Sequence, residues 1–273
     1  MRTYKNHPDI LRNIDTSAEP AHFILTEGER CPFLNECGLC EIILNHGEDH
    51  LCQICADHPR FRNFFEGRTE TGLGLCCEAA ARLILGVPDK VTLTVTEDDG
   101  ADGETENERQ LFADREHIFG ILQNRDISID ERVLKMLEFA DAVLPEKSMT
   151  EWAEYFMELE CLDPSRDEIL SRITDDCVFP DAEFAVVFEQ LLVYFVYRHL
   201  APAIEDGMFA ARAAFAVLSY RMIRAMAAVT LAQKGSVSLG DLAEAARLYS
   251  SEVEYSEENM DEILWMLDDA EYN

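Results

Sequence analysis

The sequence predicts a mainly α protein: a cysteine-rich N-terminal region followed by an all-α helical domain. Three observations carry that expectation. Seven of the nine cysteines fall between Cys31 and Cys77, in a stretch that is loop-rich rather than periodic. Beyond it, apolar residues recur at helical spacing behind recognisable capping residues. Between the two lies residues 97–108, EDDGADGETENE, an acidic, glycine-containing run that reads as a solvated linker or loop. The expected organisation is therefore 1–96 as a cysteine-rich metal- or cluster-binding region, 97–108 as the break, and 109–273 as the helical domain.

In chain order, Cys77–Leu85 reads as a helix stopped by Gly86 and Pro88, and Val91–Thr96 alternates as a short strand does. Glu108–Leu122 places Leu111, Phe112, Ile118, Phe119 and Leu122 on one helical face. Ser128 with Glu131 has the form of a capping box opening Ile129–Val143, with Pro145 closing it. Ser148 with Glu151 repeats the device ahead of Trp152–Leu162. Pro164 suits the first turn of a short helix to about Ile173. Asp181–Leu200 and Asp206–Lys234 read as long core helices, the second ended by Gly235, and Leu239–Tyr249 and Ser256–Leu267 complete the set.

Charge narrows the partners. The chain has 23 Lys and Arg against 54 Asp and Glu, a formal net charge of −31, which repels a phosphate backbone. No nucleic-acid partner is expected. No membrane partner is expected either: the apolar stretches Phe184–Ala203 and Met208–Ala232 are interrupted by Glu189 and Arg198, and by Arg212, Arg221 and Arg224, as in buried helices. Met1–Ile14 is polar and lacks the apolar core of a signal peptide. With an odd number of closely spaced cysteines, this predicts a cytoplasmic protein with reduced thiols rather than a secreted disulfide scaffold.

By spacing alone, Cys37-x2-Cys40 and Cys52-x2-Cys55 have the form of a structural zinc site. An iron–sulfur reading also employs Cys31 and one of the adjacent pair Cys76 and Cys77, since cluster ligands come from irregular loops. The alternative is that several of these thiols are merely buried small apolar groups, and this is the reading preferred for the isolated Cys161 and Cys177. His58, beside Pro59 and Arg60, is a candidate ligand or a donor to one.

The residues around the cysteines add a second layer. The string CPFLNECGLC…HGEDHLCQICADHPRF…LCCEAAARLIL resembles the flagellin lysine-N-methylase (FliB) family, whose pattern runs CPFL…GLC, then LGE..LC..C..YPR, then a CPEAAR-like helix start. The resemblance continues through Tyr197-Arg198-His199-Leu200, Leu218-Ser219-Tyr220 and the run from Tyr249 to Ser256. It implies an iron–sulfur cluster, expected as 4Fe-4S, and methyl transfer from S-adenosylmethionine to lysines of a bacterial protein substrate such as flagellin. Carried over position by position, the implied ligands are Cys31, Cys40, Cys52, Cys55 and Cys77 or its neighbour Cys76. Cys37 stands where the family usually has another residue. Family members usually begin with a further cysteine segment, and this sequence enters the pattern at about Thr3-Tyr4.

A site for the methyl donor is harder to read. Gly72-Leu73-Gly74 is a lone G-x-G without the strand–turn–helix setting of a dinucleotide fold. The C-x3-C-x2-C loop of radical S-adenosylmethionine enzymes does not occur. Transfer to lysine requires an ammonium to lose its proton and its nitrogen to face the sulfonium methyl, work for nearby carboxylates or tyrosines. Tyr194, Tyr197, Arg198, His199 and Tyr220 are candidates on apparently buried helices. Arg221 and Arg224 share a helix face and could hold the carboxylate of a methionine-derived cofactor; the competing reading is internal ion pairing. The leading expectation is thus an iron–sulfur, lysine-N-methylase-like protein. The alternatives are a non-enzymatic binding protein stapled by zinc or a cluster, and a redox or electron-transfer protein.

Overall fold

A computed structural model describes residue 4, residues 6–97 and residues 103–271. Residues 98–102 of the expected acidic break lie outside the described residues, as does Thr3. The described chain is mainly helical and divides into two compact units, Met1–His58 and Pro59–Asn273.

The first unit is built from short pieces: α1 (Pro8–Leu11), a two-residue antiparallel pairing of β1 (Ile14–Asp15) with β2 (His22–Phe23), α2 (Glu41–His46) and α3 (Gln53–Asp57), with single 3-10 turns at Glu27–Glu29 and Glu48–His50. Its apolar core is only Tyr4, Ile10, Phe33 and Ile42, flanked by Phe23, Leu51 and three of the cysteines. Such a core is far too small to hold loops of this length by burial alone.

The second unit opens with an antiparallel hairpin, β3 (Arg60–Phe64) and β4 (Thr69–Leu73), followed by α4 (Glu78–Leu85). Then come α5 (Glu106–Leu122), α6 (Ile129–Phe139), α7 (Met149–Glu158), α8 (Ser165–Leu170), α9 (Asp181–His199), α10 (Ala203–Asp206), α11 (Phe209–Lys234), α12 (Leu239–Val253) and α13 (Glu257–Glu271). Helix α11 is the centre. It packs on α9, α12, α13 and α6, and its small residues Ala213, Ala214, Ala216, Ala227 and Ala228 admit those neighbours closely. By length and composition α11 could cross a membrane, but 78% of its most apolar window is buried inside the protein, which makes it a core helix. Its flanking charge is compensated: Arg212 pairs with Asp206 and donates to the His199 carbonyl.

Several boundaries differ from expectation for identifiable reasons. The division between compact units falls between His58 and Pro59, ahead of the break expected at 97–108. The hairpin and α4 belong with the helices because Arg115 grips Glu70 through two bonds of 2.7 and 2.5 Å, and Leu75 N–H donates to the Tyr194 hydroxyl. The same capping that sequence reading found elsewhere starts α5 two residues early, with Thr105 and Glu108 bonding reciprocally, so residues 106–108 are helix rather than linker. Val91–Thr96 is not a strand. The backbone N–H and carbonyl of Val91 are both taken by the Gln123 side chain, and Gln190 takes the Val87 and Asp89 carbonyls, which leaves that extended segment without a ladder partner. Helix α6 stops at Phe139, before Val143, and the expected Asp206–Lys234 helix breaks at Gly207, which is left-handed. The box at Ser148 and the stop at Gly235 form as read, whereas at Ser128 only the bond from Glu131 N–H to the serine hydroxyl forms.

Candidate metal centre

In the first unit the string CPFLNECGLC folds back on itself. Leu34 bridges Cys40, Glu41 N–H donates to the Phe33 carbonyl at 2.8 Å, and Leu34 N–H donates to the Cys31 carbonyl. The ends of the string, Cys31 and Cys40, are therefore brought together against the small core. The middle is pushed out. The Asn35 side chain accepts from the N–H groups of both Cys37 and Leu39, and Gly38 takes positive φ, so Cys37 sits on an exposed turn. Cys40 and Cys52 occupy the residues just before α2 and α3, in extended backbone, and one turn of α3 separates Cys52 from Cys55.

Four thiols consequently share one neighbourhood: Cys31, Cys40, Cys52 and Cys55. The Cys55 thiol is pushed up to about 12, first by desolvation, then by its hydrogen bond with Cys52, and then by the charges of Cys52, Cys31 and Cys40, although the residue as a whole is exposed. Burial, followed by the charges of Cys52 and Cys55, likewise raises the Tyr4 hydroxyl to about 12. A set of thiols that oppose one another's ionisation is what a bound cation would relieve, since thiolate is the ligand form. Soft sulfur donors in this number fit an iron–sulfur cluster or zinc. Cys37 is not among the groups that interact with Cys55. Cys37 is thus set apart on its turn, while Cys31, Cys40, Cys52 and Cys55, four of the positions that the family resemblance implied, interact with one another; Cys76 and Cys77, which complete that implied set, lie in the second unit.

Cys76 and Cys77 belong to the second unit. Cys77 stands immediately before α4, and Cys76 lies beside a buried polar network on α9 and the end of α12. Desolvation raises the Cys76 thiol, against a hydrogen bond from Tyr255 and the charge of Arg198. At the centre is Glu254, whose Oε2 receives Tyr194 at 2.7 Å, His199 at 2.7 Å and Arg198 at 3.0 Å. Burial alone would raise that carboxyl; Arg198, followed by His199 and Tyr194, overrides it and holds it below the ordinary range. Burial also lowers His199. Arg198 lies over the rings of Tyr255 and Phe61 at 4.7 and 5.0 Å. The motif residues Arg198-His199 and Glu254-Tyr255 are far apart in sequence, and this network is where they meet.

The remaining sequence candidates find structural partners. Gly72 and Gly74 lie at the end of the hairpin: a Cβ at Gly72 would strike the Phe61 ring, and one at Gly74 would strike the Tyr255 hydroxyl and the Pro59 carbonyl. Their smallness serves packing, with no phosphate loop in sight. Arg224 is held by Asp181 through Nε–Oδ1 at 2.5 Å and Nη2–Oδ2 at 2.6 Å, so its fork is already filled by a carboxylate of this chain. Arg221 lies nearby on α11, half-buried. Tyr220 is buried edge-on to Phe188, and Tyr197 donates to the Thr71 carbonyl. Cys161 donates to the Asp163 carbonyl, and Cys177 packs on the main core. His58 is exposed at the end of α3. Sequence reading passed over Tyr4 and Glu254. The signal for Glu254 was present, an acidic residue inside the motif run from Tyr249 to Ser256, but only the fold supplies its three partners.

These features define a mainly α protein with a four-thiol candidate metal centre in a small N-terminal unit and a buried ion-pair network in a helical one. Residues 144–273 match the family model described as the FliB lysine N-methylase C-terminal domain. The helical half is therefore similar to that domain, which bears out the family resemblance first carried by the cysteine string. No curated protein and no solved structure matches the chain.

Proposed function

We propose that this chain is a protein-lysine N-methylase-like protein that holds an iron–sulfur cluster through Cys31, Cys40, Cys52 and Cys55 and takes a methyl group from S-adenosylmethionine to lysines of a protein such as flagellin. The observation that carries the reading is the gathering of those four thiols, and the exclusion of Cys37, in a chain whose C-terminal segment matches the lysine N-methylase domain. Bound there, the cluster would supply a rigid staple and one-electron chemistry. What the chain's own residues do is position it. The fold-back of residues 31–40 aligns two ligands, one turn of α3 aligns two more, and Tyr4 with Phe33 covers the apolar side. The nine free thiols suit a reducing, cytoplasmic compartment. The acidic surface suits a lysine-bearing partner.

Anaerobic purification tests the cluster. Brown protein with iron and acid-labile sulfide, bleaching on reduction, supports it, whereas colourless protein with stoichiometric zinc overturns it in favour of a zinc staple. Incubating cluster-replete protein with flagellin and S-adenosylmethionine labelled in the methyl group then tests the transfer; absence of labelled lysine would remove the enzymatic part of the reading.

A further inference from the structure

We propose that the first unit carries a metal site apart from the thiols, built from His7, Asp9 and His46 with His50 packed against them, and selective for a divalent transition ion of the zinc class. None of these residues belongs to the thiol set. His7 follows the turn begun at Tyr4, its N–H donating to the Tyr4 carbonyl at 2.9 Å; Asp9 is in the first turn of α1; His46 ends α2; and His50 closes the 3-10 turn that follows. The ligating atoms of His7, Asp9 and His46 all lie within 4.8 Å of one another. The His7 ring stands edge-on to His46 at 4.5 Å and to His50 at 4.8 Å between centroids, and His46 Nε2 is 3.0 Å from Asp9 Oδ2.

Two physical points turn this cluster into a site. The Nδ1 atom of His50 is buried without a hydrogen-bond partner, a costly state for a polar atom unless something else satisfies it. The ligating atoms also come from separate segments, the residue before α1, its first turn and the end of α2, so one ion would be held by side chains that the fold already brings together. Imidazole nitrogens with one carboxylate suit zinc, cobalt, nickel or copper rather than calcium or magnesium, which demand mostly oxygen. An ion here would tie α1 to the end of α2, segments joined otherwise by the small apolar core.

The test is equilibrium dialysis of cobalt(II) into the full-length protein with its thiol-held metal in place. One further equivalent is expected, with ligand-field bands and no thiolate charge-transfer band. His46→Gln and His50→Gln should each weaken it by about 10- to 100-fold or more, and Asp9→Asn, at an exposed position, should weaken it without touching the core. His22→Gln, an exposed histidine of the same unit, should leave it unchanged. Unaltered circular dichroism and thiol-held metal content establish that the variants are folded. No additional equivalent, an equivalent that survives the His7→Gln/His46→Gln double variant, or a thiolate band on binding would each overturn the site.

Discussion

The two units solve the same problem with different chemistry. Unit 2 buries a contiguous set of large side chains, among them Trp152, Phe156, Phe188, Phe195 and Phe215, each stabilising by roughly 1.5–3 kcal/mol, and it can bury charge because its buried carboxylates, among the described residues, are met by donors on at least one oxygen. Glu189 is held by Arg125 and Arg132, and Glu252 accepts the N–H groups of Leu162 and Asp163. Unit 1 has a core cluster of four buried residues, with Cys31, Cys40 and Cys52 packed partly buried against it. The difference teaches that a large unit can be ordered by apolar area, whereas under the proposed function the small one would also draw on ligand donors, and its folding would depend on what is bound.

That contrast can be broken most forcefully at Cys55. Cys55→Ser should strip the thiol-held metal and unfold residues up to His58, a loss on the order of 10 kcal/mol of metal-coupled folding free energy, while the helices of unit 2 persist. Metal analysis with limited proteolysis reads both. Metal retained in the variant would end the four-thiol assignment.

A smaller effect is expected from Glu254→Ala, which leaves Arg198 buried without its carboxylate and should cost about 3–5 kcal/mol in urea unfolding. A loss below about 1 kcal/mol would show that the network is not a stabilising element. Its pH dependence has a definite sign. His199 and Glu254 both have folded values below their ordinary 6.5 and 4.5, so the unfolded chain binds more protons and stability falls on acidification. The decline should begin near pH 6.5 through His199 and steepen below about pH 4.5 through Glu254, and Glu254→Gln should flatten the lower part.

Ser148→Ala should cost about 1 kcal/mol by removing one half of the α7 capping box, measurable as a reduced thermal midpoint. Smallest of all, Cys37→Ser should leave metal content intact and move stability by less than about 0.5 kcal/mol, because the residue sits on an exposed turn. Metal lost in this variant would restore the Cys37-x2-Cys40 knuckle.

Much of the helical unit was legible because its signals are local. Ser128, Ser148 and Gly235 cap or stop helices through atoms three or four residues away. The hairpin Arg60–Phe64 with Thr69–Leu73 was not, since its strands alternate weakly and are fixed by Arg115 and Tyr197 from distant helices. Val91–Thr96 failed in the opposite direction: its alternation was real, and glutamine side chains took the place of a strand. At the candidate site, spacing alone chose a knuckle that includes Cys37, whereas the neighbouring residues favoured Cys31, Cys40, Cys52 and Cys55 with Cys76 or Cys77, and the fold puts Cys37 on an exposed turn.

The sequence by itself determined the mainly α class, the helix stops, the concentration of thiols and the family likeness, because each depends on residue type and short-range spacing. Only the tertiary structure decided which thiols meet, where the compact units divide, that Arg224 is already paired with Asp181, and that Glu254 joins Tyr194, Arg198 and His199. Those depend on which distant segments close on one another, and burial, ion pairing and donor geometry are properties of that closure rather than of the string.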